Sequence, residues 1–132
     1  MATVERALDD SDDPIVLAGH STGCATIAFW AATTRHVARV RLALMVGPSD
    51  VDAPSYPAGP IDFQPMPLQR LPFPSRVVAS DDDPYVTVPR ARAFAAAWGS
   101  ALTLVAGAGH INAASGHGPW PEGYALVEPS LL

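Results

Sequence analysis

The sequence is short of several things, and each shortage narrows what the chain can be. It has one cysteine, Cys24, among 132 residues. An internal disulfide and a multi-cysteine metal site are therefore excluded. Charged residues make up only 16%, against 48% hydrophobic, a balance unlike that of a disordered chain. The eight Lys plus Arg residues form no basic run and the net charge is −5, which argues against a nucleic-acid partner. No apolar stretch reaches the length of a membrane span, and the polar opening, Met1 to Asp13, does not read as a signal peptide. The expectation is a cytoplasmic chain with no membrane partner. The length suits one domain, 1–132.

Proline, by contrast, is abundant: 14 residues, eight of them between Pro48 and Pro74. Regular structure is not expected in that stretch. Its apolar members (Val51, Tyr56, Ile61, Phe63, Met66, Leu68, Leu71, Phe73) favour an ordered, packed loop, and long loops inside compact domains tend to be functional.

Around it, strand and helix patterns alternate. Residues 2–9 place Val4, Ala7 and Leu8 at helical spacing. Pro14 opens a short apolar strand, Ile15 to Ala18, of the kind that is covered on both faces. A helix from Ser21 to about Arg35 follows, with Ile27, Ala28, Trp30 and Ala31 on its apolar face. Arg35, His36 and Arg39 put cations at its end. Val40–Val46, Ser75–Ser80 and Ala101–Val105 read as three more strands. The helix between the last two starts near Pro89 and stops at Gly99. After His110 comes a loop with one helical turn, then a terminal helix from about Gly123. This alternation predicts an α/β fold, a parallel sheet with helices on both faces.

The chemistry centres on Gly19-His20-Ser21-Thr22-Gly23, a match to G-x-S-x-G between a strand and a helix. In α/β-hydrolases that pattern is the nucleophile elbow, a strained turn that exposes a serine hydroxyl. The expectation is that a side chain at either glycine would clash across the turn. A serine nucleophile needs a base and a group to orient that base. Those partners follow in the order Ser, Asp or Glu, His, on loops at the carboxyl edge of the sheet. Asp83 follows the third strand and His110 the fourth, so all three would meet at one edge. Asp81 and Asp82 compete for the acid role. His117 is a rival base, while His20 lines or faces away from the pocket and His36 reads as a helix-end cation. Cys24 reads as a small buried thiol.

The chain also resembles the YdeN-like small serine hydrolases, a group that includes the retinoblastoma-binding serine hydrolase. The matching segments are Val16 to Cys24, Leu71 to Ser80, Asp83-Pro84-Tyr85, Ala91 to Gly99, and Ala108 through Gly123. The resemblance implies Ser21 as nucleophile, Asp83 as acid and His110 as base. It selects Asp83 over its neighbours because the family's acid directly precedes Pro-Tyr. It also implies the Thr22 N–H as one oxyanion donor. Members of the family carry a further strand and a glycine- and tryptophan-containing loop ahead of the segment matching this chain's start. On that comparison the fold here is a truncated α/β-hydrolase, N-terminally incomplete, with no candidate for the second oxyanion donor.

The function expected is cleavage of small carboxylic esters through an acyl-enzyme, with an ester substrate and neither metal nor organic cofactor. The alternative is a weak or inactive hydrolase-fold protein serving as an interaction module. An uncovered edge on the Ile15 strand would favour self-association.

Overall fold

The computed structural model describes residues 2–54 and 64–131. Tyr56, Ile61 and Phe63 of the proline-rich loop fall outside the described residues. Four strands form one parallel sheet in the order β1-β2-β3-β4: β1 is Ile15–His20, β2 Val40–Val46, β3 Ser75–Ser80 and β4 Ala101–Val105. The helices are α1 (Ala2–Asp9), α2 (Thr22–Ala31), α3 (Val88–Trp98) and α4 (Pro121–Val127).

The two central strands are the covered ones. Ala43, Leu44, Met45, Val46, Val77, Val78 and Ala79 are all buried, which is what a continuous apolar run in a parallel sheet requires. β1 departs from the expectation of two covered faces. Among the described residues it is an edge strand, with Ala18 and His20 exposed. It also runs two residues further than Ala18, because Gly19 and His20 continue the ladder against Met45 and Val46.

Alternating side chains feed two cores of different size. On one face α1, α2 and α3 cover Ile15, Ala43, Met45, Val77 and Ala79, with Trp30, Phe94 and Trp98 as the large fillers. On the other face a smaller cluster joins Leu44, Val46, Val78, Ala108 and Ile111, with Trp120, Leu126 and Val127 packed against it. Helices thus lie on both faces, as expected from the alternation.

Three boundaries differ from the sequence reading. Helix α2 ends at Ala31 rather than near Arg35: the amides of Thr33 and Thr34 both donate to Trp30 O, and Thr34 Oγ1 accepts from His36 N. Threonine side chains compete with the helix for backbone partners, and the chain leaves in a 3-10 turn, Val37–Arg39. Helix α3 starts one residue before Pro89, capped by the Thr87 side chain, which accepts from Arg90 N, and stops at Gly99 with φ 72°. Helix α4 starts at Pro121, two residues before Gly123, because proline suits a first helical turn. The described parts of the proline-rich loop are packed: Val51, Met66, Leu71 and Phe73 are buried, and Trp98 Nε1 donates to Pro67 O at 2.8 Å. Leu68 is the exception, 46% exposed.

Candidate active site

The turn from β1 into α2 is tight for a reason that can be located. A Cβ on Gly19 would lie 2.8 Å from Ile27 Cδ1 and 2.9 Å from the backbone of Gly23. No side chain fits there. Gly23 itself corrects the expectation of two sterically required glycines, since a Cβ on it would meet nothing within 4 Å. The helix needs only the Gly23 backbone to come close, so one glycine absorbs the crowding. Between them Ser21 adopts φ 62° and ψ −123°, a region costly for a residue with a side chain. Its amide donates to Val46 O at 3.0 Å, which ties the turn to the end of β2. Thr22 is the first residue of α2, so its N–H has no acceptor inside the helix.

Asp83 and His110 are brought together at the carboxyl edge of the sheet. Both carboxylate oxygens lie near His110 Nδ1, at 3.0 and 2.9 Å. The Asp83 side chain is fully buried and that of His110 10% exposed, so the pair sits in a low-dielectric setting. Asp83 Oδ1 also accepts from Tyr85 N at 2.8 Å. Since a carboxylate only accepts, the proton of neutral His110 sits on Nδ1 and the Nε2 lone pair is left available.

Ser21 Oγ is bonded elsewhere: it lies 2.8 Å from Ser49 Oγ. No hydrogen bond joins it to His110 among the described residues. Ser49 was not singled out by the sequence. It lies in the proline-rich stretch just beyond β2, is 1% exposed, and precedes Asp50, whose carboxylate takes two hydrogen bonds from Arg90, at 2.8 and 3.2 Å. That pairing raises the Arg90 pKa. Gly47, just past β2, was missed as well. It has φ +52°, and a Cβ on it would lie 3.3 Å from His110 O and 3.4 Å from Asp83 Oδ2. A positive-φ glycine is what lets the histidine loop come this close.

The rival residues have other partners. Asp81 Oδ1 accepts from Gly107 N at 2.8 Å, and Asp82 Oδ1 accepts from Gly109 N at 2.7 Å. They are tethers for the loop ahead of His110, not merely a solvated turn. The Ser80 hydroxyl and the Gly109 amide together hold the Asp82 carboxyl below its ordinary pKa. His117 pairs with Ser115 Oγ at 3.2 Å and meets Trp120 edge-on, with no ion pair to an acid among the described residues. Cys24 is fully buried with Sγ facing Gly19 O and Val46 O, and burial pushes its thiol pKa far up. An inert packing role follows.

His36 does more than cap a helix. It lies 3.0 Å from Asp9 and 3.2 Å from Glu5, in a group of donors all within 4.8 Å of one another. Arg39 approaches His36 Nδ1 at 3.0 Å, and arginine can only donate. The proton of His36 is therefore on Nε2, the atom a metal would need. Arg35 also holds Asp9 at 2.5 Å. The group is wired as an ion network between α1 and the end of α2.

The fold class is recognisable from known structures. A protein described as a YdeN-like hydrolase from Pectobacterium atrosepticum superposes with a TM-score of 0.76 at 28% identity, over 96% of this chain and 64% of that one. An α/β serine hydrolase homologue from Coxiella burnetii gives 0.65 at 22%, over 99% and 56%. The esterase domain of a Rhodothermus marinus protein gives 0.65 at 17%, over 95% and 63%. This chain thus spans less than two thirds of the length of each. No curated protein matches it in sequence. The serine hydrolase family model matches residues 1–129, and the chain belongs to that family.

Proposed function

We propose that the chain carries the catalytic centre of a serine hydrolase acting on small carboxylic esters, with Ser21 as nucleophile, His110 as base and Asp83 as the group that orients it. One observation carries this reading: a fully buried carboxylate bonded to Nδ1 of a loop histidine, at the same sheet edge as a serine held at φ 62°. Ser21 Oγ attacks the ester carbonyl while His110 Nε2 takes its proton. Asp83 keeps the Nδ1–H tautomer and stabilises the imidazolium that forms. The Thr22 N–H faces the developing oxyanion. Collapse of the tetrahedral intermediate expels the alcohol, which leaves with the proton from Nε2. Water then repeats the sequence on the acyl-enzyme.

The Ser21–Ser49 bond competes with the contact to His110 that the mechanism needs. Catalytic hydrogen bonds are commonly long or absent before substrate binds. Ser49 is then the partner that Ser21 leaves for His110. An apolar cavity of about 320 Å³, lined in part by His20, Val46, Ile111, Trp120 and Tyr124, lies next to this edge and suits the carbon chain of an ester. The choice of an ester also draws on the YdeN-like resemblance and on the neighbour described as an esterase domain.

The test is hydrolysis of 4-nitrophenyl acetate by the full chain and by Ser21→Ala. Turnover above background in the first and none in the second is expected. Equal rates in both would remove Ser21 from the mechanism.

A further inference from the structure

The His110 loop has an unusual backbone. Gly109 has φ +59°, and Ile111, on the other side of the histidine, has φ +52°. For a β-branched residue that is a real and costly departure. A strained residue persists only when its surroundings hold it. The peptide unit between His110 and Ile111 is held at both polar ends. Its N–H donates to Ala108 O at 3.1 Å. Its carbonyl, His110 O, lies 2.6 Å from His20 Nε2. A carbonyl only accepts, so His20 Nε2 carries a proton and donates it.

We propose that His20 is a positioning residue for the base: its Nε2–H pins the carbonyl of His110 and so keeps the strained His110–Ile111 peptide from turning over. The inference rests on His110 being the base. His20 is the last residue of β1 and directly precedes Ser21, so one side chain links the nucleophile's turn to the base's loop. The two imidazole rings lie 4.6 Å apart at 53°, and Tyr85 stands edge-on to the His110 ring at 4.7 Å. Without the His20 donor, a coupled rotation of ψ at His110 and φ at Ile111 relieves the strain. That rotation also breaks the Ile111 N–H bond to Ala108 O and loosens the loop that holds the imidazole against Asp83. The unassigned histidine inside the serine motif thereby acquires a role that needs no contact with substrate.

Two variants separate the donor from the ring. His20→Phe keeps an aromatic ring and loses the N–H; His20→Gln keeps an amide N–H at similar reach. Amide hydrogen exchange at Ile111 reads the peptide directly and does not depend on activity. Exchange about tenfold faster in His20→Phe, and near wild type in His20→Gln, is expected for a lost hydrogen bond. In the ester assay, kcat falls by about 10²-fold in His20→Phe, and His20→Gln recovers most of it. Wild-type exchange in both variants, or equal acceleration in both, overturns the proposal. The Ser21→Ala control tells a failure of the hydrolase reading from a failure of the brace, because the exchange result stands either way.

Discussion

The two faces of the sheet are built to different depths. One carries α1, α2 and α3 over a core that includes Trp30, Phe94 and Trp98; the other carries α4 over a smaller cluster, five buried residues among those described. The proposed catalytic groups are divided between them. Ser21 leads directly into α2, on the deep side. Ile111, next to His110, is a member of the shallow cluster. Ser21 is therefore placed by bulk packing, while His110 depends on a set of individual tethers: Asp83 on its ring, Asp81 and Asp82 on the glycines before it, His20 on its carbonyl. Damage to the deep side should reach activity through unfolding. On the shallow side it should reach activity with the fold intact.

The largest effect that would separate the sides is at Asp83. Asp83→Asn preserves shape but favours the wrong imidazole tautomer, and turnover should fall about 10⁴-fold. The urea midpoint should stay close to wild type. A large drop in that midpoint would show that the buried carboxylate serves the fold rather than the base.

Next comes the opposite perturbation. Trp30 is 1% exposed at the centre of the deep core. Trp30→Ala should lower unfolding stability by about 3–5 kcal/mol in urea titration. The molecules still folded should keep a near-normal rate per active site. Loss of rate without loss of stability would undo the division between the faces.

The smallest effect is a response to acid. Asp82 has a lowered pKa in the folded chain, so its contribution is present above the ordinary aspartate range and lost as pH falls through the folded value. As pH falls below the ordinary aspartate range, the amide of Gly109 should exchange faster relative to its intrinsic rate while those of β2 and β3 stay protected. Asp82→Asn should show the faster exchange already at neutral pH. Uniform loosening across the sheet would mean that the loop is no weaker than the core.

How much of this could be read beforehand follows the same physics. The strands β2 and β3 were legible to the residue, because buried parallel strands are apolar runs closed by Gly, Pro or Ser; β4, a partly exposed strand, was legible from the glycines on either side of it, Gly99 and Gly107. That Ser21, an acid among Asp81–Asp83 and His110 would lie at one edge followed from strand ends; the choice of Asp83 over its neighbours came from the resemblance to the YdeN-like hydrolases. Ser49 was not legible: nothing in Gly47-Pro48-Ser49 marks a serine that folds back to within 2.8 Å of Ser21 Oγ. Nor was the role of Gly47, whose positive φ has meaning only once the His110 carbonyl arrives beside it. The Glu5–Asp9–His36 network depends on α1 packing against the end of α2, a contact with no local signature. Helix α2 was read too long because apolar periodicity does not register the competition from Thr34, whose Oγ1 takes the His36 amide.

The central claim, that Ser21 is an activated nucleophile, is tested most directly by treating the full chain with a fluorophosphonate and locating the adduct by peptide mass spectrometry. The account predicts a single stoichiometric adduct on Ser21, formed slowly or not at all in Asp83→Asn. An adduct confined to another residue, or one on Ser21 that forms equally fast in Asp83→Asn, would contradict it.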